Sequence, residues 1–487
     1  MEKDRITKVS HKLRFMAYFI ILEKCHTFNN KVEEKKLKEI NNTKENFILR
    51  PEYFGGLLIC RNTFTKWELD MQNMIYLWFF YHYKDVDLSI KITKLLFGND
   101  ALIESDTIQF SLEVNNYSIP SKWICRKHNK ELQFAENMLE ELKKLNYLTA
   151  PLEMSLYITS KCQLNCNFCF MHNLLNSGKD LELNQIKYMV DIFVDNGIES
   201  ISLLGGEPLL HPDFVEICEY INEKRVHFVT TTNGLMINEE LLKKLRNFEY
   251  LSLVFSIQSI DDFNRLRTGV DPSIIMNNIK LAQKHGLSVR MNTVLTDQTY
   301  SQIEKNVDFA IQNKINRYSI GLCAENGQRL GSNLEMKSIM EYKDKIEKYI
   351  SLQKADNIDF AMEGCMMYSA YYDDEIFEIS EFQCIDSGCQ AAMSKIDITF
   401  GGKAVPCMLL YNKNINVTDI FNKSYQEIWH SEVFAPIRTY EVDSKICRDC
   451  NYNIFCNGGC FANKVIKHGE FSKEADKNCF RIRGIYA

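Results

Sequence analysis

The sequence predicts an α/β protein organised round a partial (β/α)6 barrel, with a small winged-helix-like domain ahead of it and a cysteine-rich domain behind it. Three observations carry this expectation. Between residues 154 and 320 the apolar runs MSLYIT, SISLLGG, HFVTTTNG, LSLVFSIQ, LSVRMNTVL and RYSIGLC alternate with amphipathic segments. Segments such as NQIKYMVDIFVDNG and PSIIMNNIKLAQKHG repeat their apolar residues at helical spacing and end at glycine. Ahead of them FILR, GGLLIC and FTKWELDM read as strands, and MIYLWFFYHYKD and LSIKITKLLFG as helices, an order that suits a winged helix. Beyond residue 380 the alternation stops and cysteines crowd the chain.

Each element has its place in the chain. At 487 residues, 45% hydrophobic and 25% charged, the composition is globular and the length exceeds one simple domain. The expected divisions are an N-terminal extension (1–45), the winged helix (46–125), a linker (126–150), the barrel (151–335), a bridging helix and linker (336–380) and the cysteine-rich domain (381–487). In a parallel barrel the active site lies at the C-terminal ends of the strands, where the motifs below fall.

Charge and hydropathy exclude several classes. With 58 basic residues against 64 acidic ones and a net charge of -6, nothing draws the chain as a whole to nucleic acid or an anionic membrane, and neither is expected as a partner. The apolar run at 15–22, between Arg14 and Glu23, falls short of the roughly 20 residues that span a bilayer and lacks a small-residue cleavage site. A cytoplasmic chain is expected, in which thiols stay reduced, so 17 cysteines point to metal ligands more than to disulfides. Cys25, Cys60, Cys125, Cys218, Cys323 and Cys365 fall outside the spaced groups and are expected to be small buried hydrophobes.

The first spaced group follows the first barrel strand: Lys161-Cys162-Gln163-Leu164-Asn165-Cys166-Asn167-Phe168-Cys169. Three thiolates at this spacing can hold three irons of a cubane and leave the fourth open, free to chelate the amino and carboxylate groups of S-adenosylmethionine. His172 could complete a zinc site, but the spacing is poor for zinc.

CxxxCxxC with an aromatic residue before its last cysteine is what the radical S-adenosylmethionine superfamily carries, and residues 154–320 resemble that family strongly. The resemblance implies a catalytic [4Fe-4S] cluster on Cys162, Cys166 and Cys169, with S-adenosylmethionine as the second cofactor. Gly205-Gly206-Glu207-Pro208 looks like the family's segment that binds the cofactor's amino group; on its own it could be a simple turn. Ser256 matches the position from which members contact the ribose. Where many relatives then carry an aspartate, this chain has Gln258, which keeps a hydrogen bond and loses the charge. Arg267, in Arg265-Leu266-Arg267-Thr268-Gly269, resembles an arginine that pairs with the cofactor carboxylate, the alternative being a plain surface arginine. Phe168 and Val294 would face the adenine, with core packing the competing role for Val294.

The tail spaces its cysteines as Cys389, Cys407, Cys447, Cys450, Cys456, Cys460 and Cys479. The Cys447–Cys450 pair alone could belong to a zinc ribbon. Together the seven match the SPASM domain of peptide-modifying radical enzymes, and the resemblance implies two auxiliary [4Fe-4S] clusters, three clusters in all. One would take Cys389, Cys407 and Cys460 with an upstream cysteine, Cys384 being better placed than Cys365. The other would take Cys447, Cys450, Cys456 and Cys479. Full thiolate ligation points to electron transfer; without Cys384 the first auxiliary cluster would keep an open iron.

At the front, Arg50-Pro51-Glu52-Tyr53-Phe54-Gly55-Gly56-Leu57-Leu58 resembles the leader-recognition element of ribosomal peptide maturases, which accepts a leader peptide by strand addition. A DNA-binding winged helix is the alternative, yet LSIKITKLLFG offers phosphates only two lysines and no arginine. The three modules together resemble maturases that install thioether or carbon–carbon crosslinks in a ribosomally synthesised precursor peptide. Such an enzyme also requires a low-potential electron donor such as flavodoxin or ferredoxin. Competing readings are a formylglycine-generating sulfatase maturase and a non-catalytic iron-sulfur sensor.

Overall fold

The computed structural model describes residues 47–61, 65–114, 116–296, 299–322, 358–363, 389–411, 417–450, 453–469, 472–476 and 479, with residues 348 and 351 between them. It divides into two units, residues 1–149 with the short segment 195–199, and the remainder.

In the first unit, β1 (Phe47–Glu52), β2 (Gly55–Cys60) and β3 (Thr65–Leu69) form an antiparallel sheet in the order β1-β2-β3. Asp70 then caps α1 (Met71–Tyr83), accepting from Asn73 N at 2.8 Å, and Lys84 ends the helix in the left-handed region. Met74 to Phe80 are all buried, so α1 is apolar all round and forms the middle of the core. Trp78 still satisfies its indole by donating to Trp123 O at 2.6 Å. Helices α2 (Val86–Phe97) and α3 (Ser105–Glu113) follow. The stretch 126–150, expected as a linker, instead holds α4 (Glu131–Leu142), whose Ala135, Met138 and Leu142 enter the same core. Its apolar residues recur at i, i+3 and i+4, a helical signal in a stretch short enough to read as a connector.

A charged pair, Arg50 and Glu52, is fully enclosed in this unit. Arg50 Nε donates to Glu52 Oε1 at 2.5 Å, Arg50 Nη1 to Gly197 O at 3.2 Å, and Thr149 N to Glu52 Oε2 at 2.7 Å. Burial pushes the Glu52 carboxyl up to about 6, against the pull of Arg50 and Thr149.

Among the described residues of the second unit, ten strands form one sheet in the order β10-β9-β8-β7-β6-β5-β4-β11-β12-β13. Strands β4 (Glu153–Thr159), β5 (Ser200–Gly205), β6 (His227–Thr232), β7 (Leu251–Ser256), β8 (Ser288–Leu295), β9 (Arg317–Leu322) and β10 (Asp359–Glu363) pair in parallel, neighbour to neighbour. Between them run α5 (Leu183–Val194), α6 (Phe214–Glu223), α7 (Glu239–Leu245), α8 (Phe263–Thr268), α9 (Pro272–Lys284) and α10 (Ile303–Gln312). Strands β6 and β8 alternate throughout their length. On β8, Val289, Met291, Thr293 and Leu295 are buried while Ser288, Arg290, Asn292 and Val294 remain partly accessible on the other face.

Four strands of this sheet come from outside the predicted barrel. β10 lies in the stretch expected to be bridging helix and linker, and β11 (Lys395–Ile398) lies in the cysteine-rich region. β11 pairs in parallel with β4, Ile396 beside Met154 and Ile398 beside Leu156, and β12 (Lys403–Val405) and β13 (Thr418–Asp419) continue the sheet antiparallel. The cysteine-rich region is thus built onto the main sheet's edge. No helix among the described residues is long and apolar enough to cross a membrane.

Candidate active site

The first cysteine loop is anchored on both sides. Thr159, the last residue of β4, donates to Asp180 Oδ1 at 2.6 Å, and Lys161 Nζ meets Asp180 Oδ2 at 2.6 Å. Asn176 Oδ1 accepts from Cys162 N at 3.2 Å, and Cys169 N donates to Cys166 O at 3.3 Å. The neighbouring glycine turn packs directly against this backbone: Gly206 N donates to Thr159 O at 2.9 Å and Glu207 N to Lys161 O at 2.7 Å. A Cβ on Gly205 would stand 2.6 Å from Thr159 O, and one on Gly206 would stand 2.3 Å from Lys161 O. Only glycine allows this approach, which ties the turn to the residue beside Cys162.

Above the strand ends is a cavity of about 300 Å³. Cys162, Cys166 and Cys169 all line it, with Phe168, Gly205, Gly206, Glu207, Ser256 and Val294. Pro208 is buried just behind, at the start of a 3-10 turn (Pro208–Leu210). The Glu207 carboxylate faces the cavity but is 1% exposed, accepting from Thr232 Oγ1 at 2.8 Å, Asn233 N at 2.8 Å and Leu209 N at 3.2 Å. Burial pushes its pKa up, and these three bonds restrain the rise. Burial also raises the Cys162 thiol, and Glu207 adds to it.

Gln258 stands apart from the cavity. Fully buried, it donates from Nε2 to Ser256 Oγ at 3.2 Å and accepts at Oε1 from Val294 N at 3.0 Å, linking the ends of β7 and β8. Its amide positions two cavity residues. The side chain of Arg267, like Cys384 and Cys365, lies outside the described residues.

Among the cavity residues that sequence reasoning passed over are Tyr157, Asn233 and Asn292. Asn233 Oδ1 accepts from Leu235 N at 3.0 Å, while its buried Nδ2 has no partner. The signal for Asn233 was the polar TTNG ending of an apolar run; for Asn292 it was the period of two that ends on Val294.

The C-terminal thiols fall into two neighbourhoods. Cys389 is pushed up to about 12, by burial first and Cys460 second, and Cys407 rises well above its ordinary value through burial, Asp397, Cys460 and Cys389. Cys456 is likewise pushed up to about 12 by burial, then by Cys479, Cys447 and Cys450. Thiols raised this far by burial and by one another become thiolates only beside compensating positive charge, as iron supplies. Among the described residues no group of three or more His, Cys, Asp or Glu is set to hold a single metal ion. The donor set, thiols gathered in two neighbourhoods, fits iron-sulfur clusters.

Comparison with known families gives the class. Residues 156–310 match the Radical SAM superfamily, and residues 389–451 match the SPASM iron-sulfur cluster-binding domain. The chain is a radical SAM enzyme with a SPASM domain; its cofactors are S-adenosylmethionine and iron-sulfur clusters, one [4Fe-4S] in the radical SAM domain and auxiliary clusters in the SPASM domain.

Particular relatives narrow this further. Streptococcus suis SuiB is 29% identical, with a TM-score of 0.76 over 89% of this chain and 98% of its own. The same protein bound to its precursor peptide SuiA matches at 28% identity over the same shares, again with a TM-score of 0.76. The subtilosin biosynthesis protein AlbA of Bacillus subtilis is 23% identical across 65% of this chain and 68% of its own. A probable GTP 3',8-cyclase of Sulfurisphaera tokodaii is 28% identical across 56% of this chain and 86% of its own.

Proposed function

We propose that this enzyme modifies a ribosomally synthesised precursor peptide, closing a thioether or carbon–carbon crosslink. One observation carries the reading: the likeness to SuiB, a protein solved with a precursor peptide bound, runs over 89% of this chain and includes more than the radical SAM and SPASM matches cover. The cyclase relative matches a smaller share, 56%.

In this reading Cys162, Cys166 and Cys169 would hold the cluster, which with S-adenosylmethionine bound would supply one-electron reductive cleavage of that cofactor. The glycine turn 205–206 offers close backbone to the methionine end, with Glu207 and Pro208 setting its floor. Ser256, held by Gln258, meets the ribose; Phe168 and Val294 flank the adenine; Arg267 meets the carboxylate. Cys389, Cys407 and Cys460, with Cys384, hold one auxiliary cluster, and Cys447, Cys450, Cys456 and Cys479 the other. The first unit takes the leader peptide along a strand edge, in the cytoplasm, and a flavodoxin or ferredoxin delivers electrons.

Crosslinking removes two hydrogens. The test is co-expression with short peptides encoded beside the chain, followed by mass spectrometry. A mass lower by two hydrogens per event, dependent on Cys162, is expected; unaltered peptide mass alongside active cofactor cleavage would refute crosslinking.

A further inference from the structure

One short loop, Cys456-Asn457-Gly458-Gly459-Cys460, joins the two neighbourhoods of tail cysteines: Cys456 acts on Cys447, Cys450 and Cys479, Cys460 on Cys389 and Cys407. Asn457, Gly458 and Gly459 all lie at positive φ, 44°, 79° and 98°. Glycine at the last two lets side chains close onto the loop backbone from both sides. A Cβ on Gly458 would stand 2.8 Å from Lys464 Nζ, and one on Gly459 would stand 2.4 Å from Asp476 Cβ.

Lys464 belongs to the helix Phe461–His468, where its N donates to Cys460 O at 3.2 Å. Helical side chains lean towards the N-terminus, which brings this one back over the loop. Its Nζ donates to Tyr440 Oη at 2.9 Å and stands 3.5 Å from Asn457 O, with the Tyr440 and Phe461 ring centres 4.7 and 5.7 Å away. Tyr440 gives its own proton to Ser472 O at 2.6 Å, and burial first pushes its phenol up to about 12, so it is a neutral acceptor. Lys464 is 2% exposed, and among the described residues no carboxylate pairs with it directly. Burial pushes its ammonium down; Asp476, Cys447, Cys456 and Cys460 are the negative groups that oppose this. Asp476 Oδ2 meanwhile accepts from Cys460 N and from Asn463 Nδ2, each at 3.1 Å. A buried ammonium needs opposite charge close by, and the thiolates of iron-sulfur clusters would supply it.

We propose that Lys464 tunes the auxiliary clusters: its buried ammonium, set on the loop that joins them, favours their reduced state and equips the tail to accept electrons. This rests on the assignment of the tail cysteines to two clusters made above. The physical basis is charge. Each electron taken up adds one negative charge to a cluster, and a fixed positive charge nearby stabilises it, more strongly where water is excluded. Asp476, on the other side of the same loop, works in the opposite sense. Lys464 touches neither substrate nor S-adenosylmethionine in this reading and acts only through the clusters.

The experiment is a redox titration of the full-length, cluster-loaded protein followed by electron paramagnetic resonance. The auxiliary signals are those that persist when Cys162, Cys166 and Cys169 are replaced together with alanine. Lys464→Gln, whose amide can still donate to Tyr440, should lower the reduced-to-oxidised ratio of the auxiliary clusters about tenfold at a fixed potential, a downward midpoint shift of about 59 mV for one electron. Lys464→Arg keeps the charge and should keep the midpoints near those of the wild type. Asp476→Asn should move them upward. Should Lys464→Gln fail to fold or to hold its iron, Lys464→Met, which fills the same space without charge, provides the same comparison. Midpoints unchanged in the neutral variant, or lowered equally in Lys464→Arg, would overturn the proposal while leaving the cluster assignment intact. If no reducible signal persists without Cys162, Cys166 and Cys169, the assignment itself fails and the proposal falls with it.

Discussion

The two sets of thiols in the second unit stand in different surroundings. Cys162, Cys166 and Cys169 sit half-buried on a loop and border an open cavity. In the tail, Cys447, Cys460 and Cys479 are buried, Cys389, Cys407, Cys450 and Cys456 are half-buried without bordering that cavity, and burial first and neighbouring thiols second raise Cys389 and Cys456. The difference separates two tasks. A cluster that must bind a small molecule needs an accessible side with polar groups around it, whereas one that only passes electrons is better enclosed.

Replacing Cys162, Cys166 and Cys169 together with alanine breaks the comparison at its strongest point. Formation of 5'-deoxyadenosine should cease while about two-thirds of the iron remains, since the enclosed sites are independent. Iron analysis and spectroscopy read this directly; loss of nearly all iron would show that the two sets are not separable.

A change in the first unit serves as the control. Arg50→Met leaves Glu52 buried without its partner and should destabilise the protein by about 3–5 kcal/mol at pH 7. The sign of its pH dependence follows from Glu52, whose folded pKa of about 6 exceeds the ordinary 4.5. The folded state therefore binds this proton more tightly, and without Arg50 more tightly still, so the loss should shrink between pH 7 and pH 5. Denaturation at the two pH values measures it, with cluster content per folded molecule unchanged; an equal loss at both would contradict the assignment.

Smaller effects sharpen the open site. Gly206→Ala sets a Cβ against Lys161 O, beside Cys162, and should cost about 1–3 kcal/mol and weaken S-adenosylmethionine binding at least tenfold by calorimetry. The enclosed clusters should keep their spectra. Gln258→Leu removes the bonds to Ser256 and to Val294 N and leaves that backbone donor unmatched, for about 1–3 kcal/mol of stability. Cofactor affinity should fall only a few-fold, because Gln258 positions the site and does not line it. A fall as large as that of Gly206→Ala would mean direct contact.

Much of the open site was legible because its residues are close in sequence. CxxxCxxC, the glycine turn and the alternating strands are local patterns, and local patterns survive in a one-dimensional reading. The role of Gln258 was not legible as positioning, since its partners belong to the end of one strand and a backbone amide 36 residues away. The helix at Glu131–Leu142 was missed for a related reason: its apolar face gains meaning only from the core it enters.

By itself, the sequence determined the chemistry: three loop cysteines, a glycine turn, and seven tail cysteines at fixed spacings. Only the tertiary structure decided that the tail contributes a strand laid against β4, and that Arg290 and Arg317 stand side by side on adjacent strands. The physical reason is that parallel pairing joins segments far apart in the chain through backbone hydrogen bonds, which any side-chain pattern of the right period can satisfy. Which strands become neighbours, and which charges thereby meet, is settled by the whole sheet.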